Sequence, residues 1–129
     1  MRRVVVTGLG TINPLGNSVG SSWSSLIASN SGISKITKFD VESYPCKIAG
    51  SIEDSNINDE IVSPRGQRKI DRFITLGLIA ADEAIKDSGF NSDSESSLRS
   101  GVMVGSGIGG LDTIYAVSYT HLTLPTSTH

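Results

Sequence analysis

Two short apolar runs, each emptying into glycines, lie near opposite ends of the chain: "RRVVVTGLG" at residues 2–10 and "GVMVGSGIGG" at 101–110. A run without polar alternation, closed by a turn signal, predicts a strand covered on both faces and therefore a parallel sheet. Two helical patterns separate the runs. Val19, Trp23, Leu26 and Ile27 recur at i, i+4, i+7 and i+8, with Asn17 or Ser18 as N-cap and Gly32 beyond the end. A longer helix places Ile70, Phe73, Ile74, Ala81 and Ile85 on one side, takes Asp71 as N-cap, and closes at "KDSG" with Gly89 in the C′ position. Alternating strands and helices give an α/β class with a mostly parallel sheet. Two strands cannot cover the apolar faces of two helices, so the pattern reads as an incomplete domain with exposed apolar surface and poor solubility.

The connections are plain by composition. "TGLGTINPLGN" is a loop, "CKIAGSI" a short edge strand, "EDSNINDE" a polar connection and "NSDSESS" (91–97) a solvated surface loop. The 129 residues are 37% hydrophobic and 19% charged, which suits a modest globular core. A formal net charge of −2 gives no global positive field for nucleic acid or an anionic membrane, so an anionic partner must be met by a local patch. No apolar stretch approaches the roughly 20 residues of a membrane span, and the run at Val4–Val6 is too short for a signal peptide. The lone cysteine, Cys46, excludes an internal disulfide and a multi-thiolate metal site, and a reducing cytoplasm is the expected compartment.

Gly105, Gly107 and Gly110 raise the question of dinucleotide binding. Such a fingerprint needs glycines that close a strand and open a helix, so that backbone N–H groups meet the pyrophosphate, with an acid about 20 residues further on for the ribose. No Asp or Glu follows Asp112, and in the N-terminal run the third glycine position is Asn13. Close approach of another backbone segment, or positive φ, accounts for these glycines as well.

From Val117 the chain turns to "VSYTHLTLPTSTH", threonine-rich, without charged residues and without a period of two or 3.6. Residues 117–126 resemble the translation of an adaptor used in transposase-based sequencing libraries. The expected division is therefore 1–116 as a partial domain and 117–129 as a non-native tail. An uninterrupted gene reading on through "SYTHLTLPT" would refute it.

"RRVVVTGLGTINPLGN", "SSWSSLIASNSGIS", "QRKIDRFITLGLIAADEAIKDSG" and "GVMVGSGIGG", in that order, resemble the N-terminal half of the elongating type II β-ketoacyl-acyl-carrier-protein synthases. The resemblance covers residues 2–116. It implies an incomplete layered α/β/α, thiolase-like fold, a homodimer, and decarboxylative Claisen condensation of acyl thioesters with malonyl-acyl carrier protein. The phosphopantetheine arm belongs to the carrier, so no cofactor is expected of the chain itself. The family's cysteine nucleophile and two histidines lie downstream of "GSGIGG". No catalytic residue carries over, and residues 1–129 alone are expected to be inactive. Cys46 in "YPCKIAG" has Lys47 beside it but no helix after it to lower its pKa, and is expected to be a buried small apolar residue. A non-catalytic subunit that sets chain length and a dinucleotide-binding oxidoreductase are the alternative readings.

Arg65, Arg68, Lys69 and Arg72 lie at i, i+3, i+4 and i+7, which on one helix puts four cations on one face, against the macrodipole at its N-terminal end. By the resemblance, Arg65, Arg68 and Lys69 match positions that dock the acidic carrier; Arg72 has no such match. Ile108 in "GSGIGG" matches a residue that guards the acyl pocket and swings to admit long chains, a movement that flanking glycines would ease.

Overall fold

The computed structural model describes residues 2–54, 57–91 and 98–123, the last four by backbone only. The order of elements is α1 (Val19–Ile27), β1 (Ile33–Lys35), β2 (Ile48–Gly50), α2 (Pro64–Gln67), α3 (Arg72–Ser88) and α4 (Leu111–Thr123). Parts of the predicted connections at 53–60 and 91–97, and the chain after 123, lie outside the described residues.

Of the two candidate caps, Ser18 opens α1. Its Oγ accepts the Ser21 N–H at 3.2 Å while Ser21 Oγ accepts the Ser18 N–H at 3.1 Å, so two otherwise unpartnered donors of the first turn are satisfied reciprocally. The helix ends sooner than Gly32: Ala28 is the C-cap and Ser29 takes a left-handed φ of 57°. Gly32 instead lies against Pro14, whose Cβ would stand 2.9 Å from an added side chain. The prediction for α3 is met at both ends, with Asp71 as N-cap and Gly89 left-handed at φ 64°.

The sheet differs from expectation. β1 and β2 form an antiparallel pair in the register Ile33↔Gly50, Ser34↔Ala49 and Lys35↔Ile48. Only the second lay within a predicted strand, "CKIAGSI"; the first is three residues long, too short to show a period. Neither glycine-ended apolar run is a strand, because a strand exists only where a neighbour completes its hydrogen-bond ladder. Among the described residues neither run meets one, and Val4 and Val102 are 95% and 94% exposed.

What holds the N-terminal run is α3. The backbone of Gly8 and Gly10 presses on the helix so closely that a Cβ at either position would overlap the carbonyl oxygen of Ala84 or Ala80. Leu9 N–H donates to Asp87 Oδ2 and Thr11 N–H to Glu83 Oε2, both at 2.9 Å, and Glu83 Oε1 accepts the Val19 N–H of α1 at 2.8 Å. One carboxylate thereby joins the loop to the positive end of α1 and docks both on α3. Asn13 closes the loop: its Oδ1 accepts from Leu15 N–H and its Nδ2 donates to buried Ser22 at 2.9 Å. The buried apolar residues described are Val41, Val62 and Ile79; the apolar faces of α1 and α3 stay half bare, as at Trp23 and Ile85.

Candidate functional site

The four cations do not share a helix. Ser63 caps α2 through its Oγ, which accepts the Gly66 N–H at 3.2 Å, and Pro64 fits the first turn because its missing N–H would be unpartnered there. The helix closes at Arg68, Lys69 N–H folds back to the Gly66 carbonyl at 2.9 Å, and Asp71 is extended at ψ 148° before α3 begins. A continuous helical face was predicted; the break at Lys69–Asp71 overturns it.

The break divides the cations. Arg65, Arg68 and Lys69 are exposed on α2 and its closing turn, and none makes an ion pair among the described residues. Arg72 is turned to other work: Nη1 donates to Asp54 and Nη2 to the Ile52 carbonyl at 2.6 Å, while Lys38 Nζ reaches the same Asp54 oxygen at 3.3 Å. These hydrogen bonds, from Arg72 first and then Lys38, hold the Asp54 carboxyl below its ordinary pKa.

Ile108 is 79% exposed and stands with Asp71, Arg72, Phe73 and Gly109–Asp112 around an open depression of about 160 Å³. Phe73 packs on the backbone of Gly109, where a Cβ would lie 2.8 Å from its ring. Gly110, left-handed at φ 73°, delivers the chain into α4, whose Thr113 Oγ1 donates to Asp71 Oδ1 at 2.7 Å. Sequence reasoning missed Asp71 as more than a cap, and Phe73 as more than apolar surface.

A helix does follow the glycines of 105–110, the feature a dinucleotide site requires. Its first turn carries Asp112, however, and Asp71 Oδ2 would lie 3.0 Å from a Cβ at Gly110, so carboxylates crowd the place a pyrophosphate would take. At the N-terminal loop, Glu83 and Asp87 already occupy the amides of Leu9, Thr11 and Val19. Cys46 is exposed, not buried as predicted, because nothing described covers that side of the β1–β2 pair; its Sγ lies 3.3 Å from the Ile48 carbonyl, and a strand, not a helix, follows it. The described residues contain no group of three His, Cys, Asp or Glu able to hold a metal and no helix long and apolar enough to cross a membrane.

The chain matches the family described as "Beta-ketoacyl synthase, N-terminal domain" over residues 1–127, and it belongs to that family. Among curated proteins it is similar to the "3-oxoacyl-[acyl-carrier-protein] synthase 2" of Vibrio harveyi, 45% identical over 115 residues, which are 89% of this chain and 28% of that protein. The proteins of the same name from Rhizobium meliloti and Staphylococcus aureus (strain COL) are 42% and 40% identical, over 93% and 87% of this chain and 30% and 27% of their own lengths. The chain thus spans less than a third of these relatives.

Proposed function

We propose that this chain is the carrier-facing N-terminal part of a type II elongating β-ketoacyl-acyl-carrier-protein synthase of thiolase-like fold. The complete enzyme would be a cytoplasmic homodimer that condenses acyl thioesters with malonyl-acyl carrier protein. Arg65, Arg68 and Lys69 contribute to docking of the acidic carrier, and Ile108 guards the acyl pocket. The observation that carries the reading is the division of the basic cluster: three cations stand exposed without acidic partners among the described residues, while the fourth is paired with Asp54. Arginine's planar fork suits carboxylate or phosphate, so the free cations provide the local positive patch that a chain of net negative charge needs to meet an anionic partner. In the complete synthase, Arg68→Glu with Lys69→Glu is expected to weaken carrier binding about tenfold or more at low salt, with the difference shrinking as salt rises. A titration showing unchanged affinity and unchanged salt dependence would return the patch to ordinary solvated surface.

A further inference from the structure

An aspartate at an N-cap ordinarily accepts a hydrogen bond from the backbone of its own helix. Asp71 occupies the N-cap of α3 and makes no such bond. Its carboxylate reaches across to the third residue of α4, accepting from Thr113 Oγ1 at 2.7 Å, while its other oxygen borders Gly110. Asp71 follows Lys69 by two residues and Arg68 by three, and Gly110 follows Ile108 by two. One hydrogen bond therefore joins the turn that carries the free cations to the segment that carries Ile108.

The glycines beside this bond show where the Ile108 segment can and cannot move. A Cβ added at Gly107, on one side, would meet nothing within 4 Å, whereas one added at Gly109 would overlap Ser106 Oγ and the Phe73 ring, and Gly110 is left-handed beside Asp71. The crowded side of Ile108 is therefore Gly109–Gly110, and the Asp71–Thr113 hydrogen bond lies directly beyond it. Resting on the acyl-gate reading above, we propose that Asp71 is a positioning residue: through Thr113 it anchors the hinge of the Ile108 gate to the docking turn, and so sets which acyl chain lengths are accepted.

The test uses the complete synthase and the ratio of kcat/KM for long and short acyl carriers, which a simple loss of folded enzyme would not move. Thr113→Val and Asp71→Ala are each expected to change that ratio about fivefold or more, the lower end of coupling between sites. Thr113→Ser, which keeps the donor, should preserve it, and the double variant Asp71→Ala with Thr113→Val should do no more than either alone. An unchanged ratio for Thr113→Val, no rescue by serine, or additive single effects would overturn the proposal. Ile108→Phe, measured alongside, separates the two readings. If it shifts the ratio and Thr113→Val does not, only the role of Asp71 falls; if Ile108→Phe leaves the ratio unchanged, the gate falls and Asp71's role with it.

Discussion

The two glycine-ended apolar runs look alike as sequence and behave differently as structure. At residues 8–11 the missing side chains of Gly8 and Gly10 let the backbone lie on α3, and two carboxylates of that helix accept the amides between them. At 101–107 a Cβ added at Gly101, Gly105 or Gly107 would meet nothing within 4 Å, and Val102, Met103 and Val104 are 94%, 98% and 81% exposed. A glycine signals close approach, but the residues that approach it belong to another part of the chain. For the first run that part is α3; for the second it is not among the described residues, apart from the foothold of Gly109 on Phe73.

The comparison breaks most sharply on adding one methyl group to each region. Gly10→Ala would drive a Cβ into the Ala80 carbonyl, a backbone atom that cannot step aside, and should cost about 3 kcal/mol, the upper part of the range for overpacking. Gly105→Ala enters open space at ordinary φ and should stay within about 0.5 kcal/mol. Hydrogen exchange at the Leu9 and Thr11 amides reads the first change directly. Equal protection in the two variants would mean that the N-terminal loop is no better seated than the second run.

Glu83 supplies the next effect. Its two oxygens serve Thr11 N–H and Val19 N–H, so Glu83→Ala strands two part-buried donors and removes a negative charge from the first turn of α1, a loss of about 1.5–3 kcal/mol. Glu83→Gln, left with one acceptor oxygen, should fall between alanine and wild type in urea midpoint. If alanine and glutamine were equivalent to wild type, the carboxylate would be incidental to the docking and the glycine contacts alone would hold the loop.

These contrasts show what was legible beforehand. Helix ends written in local chemistry could be read: Asp71 and Gly89 for α3, and Ser18 as one of two named caps for α1. Two kinds of feature could not. The break between α2 and α3 has no proline or glycine after Gly66 to announce it; Asp71 is instead engaged by Thr113, 42 residues away in sequence. The unpaired apolar runs failed as strands for the converse reason, since propensity is local and a ladder needs a neighbour. For the candidate site, Arg65, Arg68, Lys69 and Ile108 came from family resemblance, which already left Arg72 out, whereas the pairing of Arg72 with Asp54 and the reach of Asp71 to Thr113 came only from geometry.

The smallest effect concerns the foothold of the second run. Phe73, on which Gly109 rests, belongs to the first turn of α3, and that turn is tied to the 52–54 segment by Arg72 through Asp54 and the Ile52 carbonyl. Because hydrogen bonds from Arg72 and then Lys38 lower the Asp54 pKa on folding, the folded carboxyl binds its proton less tightly than the unfolded one. The contribution is therefore complete above the ordinary value of 3.8 and is lost as pH falls through the lowered folded value. With Asp54 75% exposed, solvent screening limits it to under about 1 kcal/mol, and added salt reduces it further. Asp54→Asn should lower the urea midpoint slightly at neutral pH, and the difference from wild type should vanish well below pH 3.8. A difference that persisted there would show that Asp54 steadies the start of α3 by something other than its charge, and that the foothold under Gly109 does not depend on the ion pair.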